Sequence, residues 1–240
     1  MTILFISDLH LEAERPDISK QFLHFLETEA SEAEELYILG DLFEAWVGDD
    51  DPNTHYFTIK RALRKIVDSG IPIYFMHGNR DFMIGREFAN ETGVQILKDP
   101  CKVVMYGEQV LLSHGDVLCT DDVQYQQIRK MTRDPDWQAK IRARPLKDRL
   151  RMAEDARRQS LEATINKSME IMDVNQDAVK NAIKQFNVGV LLHGHTHRPA
   201  VHEIDIDGRK AKRIVLGDWY TQGSVVRWGR RGPKLEEMPR

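Results

Sequence analysis

Leu36-Tyr37-Ile38-Leu39-Gly40-Asp41 is the stretch whose reading decides the fold. Four apolar or aromatic residues closed by glycine predict a short core strand, so Asp41 falls where the chain leaves a sheet. In open α/β sheets that edge is where ligands bind and chemistry is done. The pattern recurs along the chain: Ile3 to Ser7 leads into Asp8 and His10, Ile73 to Met76 into Asn79, Val110 to Ser113 into His114, and Val188 to Leu192 into His195 and His197. Five apolar runs thus each end in residue types that ligate metal ions.

Between these runs the spacing turns helical. Ile18, Phe22, Leu23 and Leu26, with Ser19 as a cap, predict a crossover helix; a second runs from Tyr56 to Asp68, ended by Gly70 and Pro72, and a short one covers Arg86 to Glu91. Asp49, Asp50 and Asp51 before Pro52 read as a turn rather than a site, with Phe43 and Trp46 packed beneath it. A hairpin near Lys102 to Gln109 precedes the Val110 strand. From Cys119 to Phe186 strand signals vanish, and Trp137 with Ile141, Leu146 with Leu150, then Leu161, Ile165, Met169 and Met172 recur at helical spacing with arginines between. A helical lid over 121–170 is therefore expected, inserted into a core made of 1–120 and 171–240. Val174 to Phe186, capped by Asp173, should be a crossover helix of that core. Val201 to Ile206, Arg213 to Leu216 and Ser224 to Trp228 read as antiparallel strands finishing a second sheet.

Composition narrows the class. A chain of 240 residues, 41% hydrophobic, suits one core carrying an insertion, and it has no apolar run of the about 18 residues that would span a bilayer. Only Ile3 to Ile6 precede Asp8, so no secretory signal is expected and the cytoplasm is the default compartment. Cys101 and Cys119 form no CxxC and are expected to stay reduced. The net charge of −4 is uneven: Arg129 to Lys167 hold twelve Lys or Arg against six Asp or Glu, leaving −10 on the remainder. Such an island is either a solvated helix face or an attractor of phosphate, anionic lipid or nucleic acid. The Met and Leu stripe within it reads as helix packing, or as a groove for acyl chains or a membrane surface.

Asp8, His10, Asp41, Asn79, His114, His195 and His197 make seven oxygen and nitrogen ligands, with His193 the odd histidine out. Seven are too many for one ion. A carboxylate bridging two cations about 3.5–4 Å apart would use them all, and the absence of thiolate disfavours a structural zinc site.

In this order D-x-H, G-D, G-N-R-D, H-G-D and G-H-T-H resemble the calcineurin-like metallophosphoesterase superfamily over essentially the whole chain. The resemblance implies an α/β double-sheet sandwich flanked by helices. It assigns Asp8, His10, Asp41 and His197 to one ion and Asp41, Asn79, His114 and His195 to the other. The superfamily usually has histidine where this chain has Arg80; an arginine stays protonated and suits charge stabilisation on phosphate. The run Leu39 to Trp46, the segment His114 to Asp122, Ile171 to Gln176 and His195 to Pro199 further resemble the UDP-2,3-diacylglucosamine diphosphatase family of bacterial lipid A synthesis. That resemblance implies manganese-dependent hydrolysis of UDP-2,3-diacylglucosamine to UMP and 2,3-diacylglucosamine 1-phosphate, by water attacking the phosphorus nearer the uridine. It gives catalytic roles to Asp41, Asn79, Arg80 and His195, and substrate contacts to Asn79, Arg80, Asp122, Ser160, Thr164, Lys167 and His195, position 164 being commonly Asn in the family. A monomer working peripherally at the cytoplasmic face of the inner membrane, with no nucleic-acid partner, is the implied setting. The rival readings are a nuclease or cyclic-nucleotide phosphodiesterase on the same scaffold, and a binding module that has lost its metals. The acidic body argues against a nucleic-acid track, and the full ligand set against the module.

Overall fold

The computed structural model describes residues 2–165, 171–220 and 223–238; Lys167 and Met169, and the side chains of Thr164 and Ile165, lie outside the described set. The first sheet is built from three parallel strands, β1 (Ile3–Ile6), β2 (Glu35–Ile38) and β3 (Ile73–Met76), with a short β4 (Gln95–Leu97) at one edge. Parallel neighbours need crossovers, supplied by α1 (Pro16–Thr28), α2 (Thr54–Asp68) and α3 (Arg86–Thr92). The second sheet has the order β5-β6-β7-β9-β8, from β5 (Cys101–Met105), β6 (Glu108–Ser113), β7 (Val190–His193), β8 (Ala200–Ile206) and β9 (Arg209–Val215).

The sheets stack face to face. Ile3, Phe5, Tyr37, Leu39 and Met76 of the first meet Val110, Leu112, Val190, Leu192 and Ile214 of the second. On the outer side of the first sheet Leu4, Ile6, Leu36 and Phe75 pack with Phe22 and Phe25 of α1 and Ile59 and Leu63 of α2. The outer side of the second is covered by α7 (Gln176–Phe186), whose Val179 and Ile183 meet Leu111, Leu191 and Ala211. Central strands buried on both faces are apolar throughout, which is why their sequences do not alternate.

Three expectations are corrected. The last two strands, β10 (Gly223–Gly229) and β11 (Gly232–Met238), join the first sheet, where β10 pairs antiparallel with β1 and covers its otherwise open edge; only β8 and β9 join the second, and β9 runs parallel to β7. Ser19 lies inside α1, because Pro16 takes the first helical turn and sets the start; the Ser19 hydroxyl is 3.3 Å from His55 Nε2 instead. Asn175, not Asp173, caps α7, its side-chain oxygen accepting from the backbone N–H of Asp177 and Ala178, both at 2.9 Å.

Between β6 and β7 the described residues form the helices α4 (Val123–Thr132), α5 (Pro135–Arg142) and α6 (Leu146–Ile165), while the end of the expected 121–170 segment, residues 166–170, lies outside the described set. Asp122 caps α4 through the N–H of Tyr125 at 3.0 Å, and Asp134 caps α5 through that of Trp137 at 2.8 Å.

Candidate metal centre

β1, β2, β3, β6 and β7 bring their C-terminal ends together, and the segments that follow carry Asp8 and His10, Asp41, Asn79, His114, and His195 and His197. The local backbone is not the extended form that a D-x-H strand end suggests. Asp8, His10, Asp41, His195 and His197 are all left-handed, with φ of 57°, 52°, 52°, 69° and 55°. That conformation costs a non-glycine residue about 1–2 kcal/mol, so it needs enforcement. Cross-links between the first two strand ends supply it: Asp8 N–H donates to Gly40 O at 3.1 Å, His10 N–H to Asp41 O at 3.0 Å and Leu11 N–H to Leu42 O at 2.9 Å. Backbones crowd so closely that a Cβ at Gly78 would lie 2.0 Å from Asp41 Oδ1, and one at Gly194 2.2 Å from Asp8 Oδ2.

Proton placement decides what the side chains offer. His114 Nδ1 lies 2.9 Å from the Leu39 carbonyl, which only accepts, so Nδ1 carries the hydrogen and the neutral ring leaves a lone pair on Nε2. That lone pair faces Asn79 Oδ1 at 3.0 Å and Asp41 Oδ2 at 3.8 Å, both electron-rich. His195 Nδ1 approaches the same Asn79 oxygen at 2.9 Å. His10 donates from Nδ1 to Glu44 Oε2 at 2.8 Å, leaving its Nε2 lone pair 3.8 Å from Asp41 Oδ2 and 3.4 Å from His197 Nε2. His197 Nδ1 faces Asp218 Oδ2 at 3.3 Å, and its Nε2 is 3.4 Å from Asp8 Oδ1, a buried oxygen with no hydrogen-bond partner. Two nests of facing lone pairs result, with Asp41 Oδ2 equally distant from a histidine of each. Acceptors facing acceptors repel unless positive charge lies between them.

The titrations report the same demand. Burial disfavours a charged His114, but the carboxylates of Asp41, Asp116 and Asp8 outweigh it and lift its pKa to about 9. His197 is only partly buried, and desolvation is outweighed by Asp218 and Asp8, which lift it to about 10. His195, by contrast, is pushed down to about 4 by burial and by the neighbouring His114. A bound cation would take the place of the protons that His114 and His197 otherwise hold. Oxygen and imidazole donors without thiolate fit divalent ions of the manganese-to-zinc series.

The structure therefore brings all seven expected ligands together, and sets His193 apart: its ring is buried and Nδ1 donates to Gly194 O at 2.8 Å. Arg80 stands at the rim, its N–H donating to Asp41 Oδ1 at 2.8 Å and its guanidinium 3.7 Å from Glu44. Of the expected substrate contacts on the insertion, Asp122 caps α4 and Ser160 is exposed on α6. Asp49 is structural, as expected, accepting from Trp46 Nε1 and from the N–H of Gly85 and Phe88 at the start of α3. Sequence reasoning missed Glu44, Asp218 and Tyr220. Asp218 had a signal, since Arg213 to Leu216 followed by Gly217-Asp218 repeats the strand-glycine-aspartate pattern of the opening stretch. Tyr220, stacked on His10 with ring centres 5.2 Å apart, had none.

The sequence profile of the calcineurin-like phosphoesterases matches residues 1–199. The chain belongs to the calcineurin-like phosphoesterase family. Membership implies divalent metal ions, and the paired lone-pair nests fit them. Within this family the chain is 48% identical over 247 residues to the UDP-2,3-diacylglucosamine hydrolase of Stenotrophomonas maltophilia strain K279a, with both chains covered in full. It is 51% identical over 227 residues, 95% of each chain, to the protein of that name from Escherichia coli O7:K1. It is also 48% identical over the full length of both chains to that of Pseudomonas paraeruginosa.

Proposed function

We propose that this phosphoesterase cleaves the pyrophosphate bond of UDP-2,3-diacylglucosamine, giving UMP and 2,3-diacylglucosamine 1-phosphate, a step in lipid A synthesis. The carrying observation is the pair of lone-pair nests meeting at Asp41, in a chain about half identical along its whole length to hydrolases named for that substrate. Asp8, His10, Asp41 and His197 would hold one ion, and Asp41, Asn79, His114 and His195 the other, with Mn²⁺ the expected metal. Bound divalent ions supply Lewis acidity and a readily deprotonated water.

The protein's own groups do the rest. Arg80 presents a permanently charged, partly exposed fork beside the centre, 3.7 Å from Glu44, suited to stabilising charge on a phosphoryl oxygen. Asn79 and His195 meet at the second nest and address the same phosphate. Glu44 and Asp218 keep His10 and His197 in the tautomers that offer Nε2 to the centre. Residues 121–170 act as a lid over the core of 1–120 and 171–240. On that lid Asp122, Ser160, Thr164 and Lys167 contact the acylated sugar, and the exposed Val123, Ile128, Met131, Leu150 and Leu161 offer apolar surface for acyl chains or for the inner-membrane face. No helix among the described residues is long and apolar enough to cross a membrane. On this reading the protein works as a monomer, peripherally, at the cytoplasmic face of the inner membrane.

Incubation with Mn²⁺ and the diacylated substrate, with products identified by mass, should yield UMP and the sugar 1-phosphate. EDTA should stop the reaction and Asp41→Ala should abolish it. Faster turnover of DNA or cyclic AMP than of the lipid nucleotide would replace this reading with a nuclease or phosphodiesterase.

A further inference from the structure

Asp116 lies two residues beyond His114, wholly buried, in a single 3₁₀ turn (Asp116–Leu118). A buried carboxylate is unfavourable without partners. Here its hydrogen-bond and ion-pair partners come from α4 and the residue that caps its C-terminus: the Tyr125 hydroxyl donates to Asp116 Oδ2 at 2.9 Å, Arg129 Nε lies 2.9 Å from the same oxygen and the cap residue Arg133 brings Nη2 to 3.6 Å, while Oδ1 is buried with no hydrogen-bond partner. Each partner also reaches back to the centre. Arg133 Nη2 donates to Gly78 O at 2.9 Å, the carbonyl of the peptide leading into Asn79. The Tyr125 ring lies against His195, with centres 5.8 Å apart and planes inclined at 31°. Arg129 pairs at 3.1 Å with Asp99, whose other oxygen accepts from Ser113 Oγ at 2.7 Å and from His114 N–H at 3.2 Å. One helix of the insertion thus touches the carriers of Asn79, His114 and His195. Asp8, His10 and His197 have their own nearest supports in Ser7, Glu44 and Asp218, although Asp8 Oδ2 also accepts from His195 N–H at 2.9 Å and Glu44 pairs with Arg157 of α6 at 3.0 Å.

We propose that Asp116, Tyr125 and Arg133 form a brace through which α4 sets the positions of Asn79 and His195, so that the lid is part of the second ion site and these three are positioning residues. The inference rests on the two-ion reading above. Asn79 is a neutral amide, the weakest donor of its set, so that site depends most on accurate placement. Asp116 draws α4 down onto the core, Arg133 fixes the turn before Asn79, and Tyr125 blocks rotation of the His195 ring. Loss of the brace should leave the first ion in place and loosen the second.

The test is calorimetric titration of Mn²⁺, with bound-metal analysis, on wild type, Asp116→Asn, Arg133→Gln and Tyr125→Phe, alongside kcat and KM. Affinity for the second ion should fall about 10- to 100-fold in Asp116→Asn and Arg133→Gln, and the first should be unchanged. The lower kcat should recover as Mn²⁺ is raised, and Arg133→Lys should restore part of the affinity. Tyr125→Phe, which keeps the ring and loses the hydroxyl, should show a smaller loss of the same kind. Wild-type affinity for both ions in Asp116→Asn and Arg133→Gln, with only KM raised, would make α4 a cover and overturn the brace. Equal weakening of both ions with a lowered Tm would overturn it as well. Wild type that binds two ions but leaves the lipid nucleotide intact would refute the substrate, not the brace.

Discussion

His10 keeps its Nε2 lone pair for the centre because its Nδ1–H donates to Glu44 Oε2 at 2.8 Å, and Glu44 stays ionised despite its burial. Burial alone would raise its pKa, but His10, Arg80 and Arg157 hold the carboxyl at about 2. Glu44→Gln keeps the shape and removes the charge. Supporting groups of this kind are typically worth about 10- to 100-fold in metal affinity, so Mn²⁺ titration of the variant should show a loss of that order at the first site. Protonation gives a second prediction. His114 and His197 are raised above the ordinary histidine pKa, so in metal-free protein they stabilise the fold fully below about pH 6.5, and that stability is lost as pH rises through about 9 to 10. Asp8 and Glu44 are held low, so their contribution is present above the usual carboxylate range and is lost only in acid. The thermal midpoint in EDTA should therefore fall between pH 6.5 and 10. Saturating Mn²⁺ should flatten that fall, because the cations then satisfy the same lone pairs. A midpoint independent of pH in EDTA would mean that the two histidines are not protonated.

Elements place these residues through close backbone approach. Gly78 and Gly194 each face a carboxylate where a methyl group has no room, at 2.0 Å from Asp41 Oδ1 and 2.2 Å from Asp8 Oδ2. Gly78→Ala and Gly194→Ala should each cost about 1–3 kcal/mol in denaturant unfolding, and activity should drop further than stability because the displaced groups are ligands. Activity intact in either variant would contradict the packing described. The same elements show what sequence could reveal. β1, β2, β3, β6 and β7 are legible because burial on both faces makes them continuous apolar runs, and the ligands stand out as polar residues directly after them. β4, three residues at a half-exposed edge, leaves no such run. β10 is buried on both faces, Val225 in the outer core and Val226 and Trp228 between the sheets, and such a run does not say which strand it pairs with, so its place beside β1 follows from the edge it covers. Nor can spacing reveal a left-handed Asp8 or His10, since that backbone is held by hydrogen bonds to residues 40–42, far along the chain.

At the scale of the molecule the basic insertion meets an acidic body. Arg129 and Arg133 face Asp116, Arg149 faces Asp50, and Arg157 pairs with Glu12 and Glu44 at 3.1 and 3.0 Å. Four of the island's twelve basic residues thus tie this helical segment to acidic groups elsewhere in the chain, and Arg149 is buried there with a further bond to the Val47 carbonyl at 2.8 Å. What this segment leaves facing outward is partly apolar, and Leu161, on α6, is 57% exposed. An isolated exposed leucine needs no explanation, but one on an arginine-anchored helix beside a phosphohydrolase centre has a use if the substrate carries acyl chains. Burying a leucine against such a chain is worth about 1.5–3 kcal/mol, roughly ten- to a hundredfold in binding. Leu161→Asp should therefore raise KM for the diacylated substrate by about that factor while altering hydrolysis of a soluble, unacylated diphosphate analogue less than about twofold. The exposed position argues against a folding defect, and an unchanged Tm would exclude it. Equal KM for the acylated substrate in variant and wild type would remove Leu161 from the acyl-binding surface and return it to an ordinary solvated helix face.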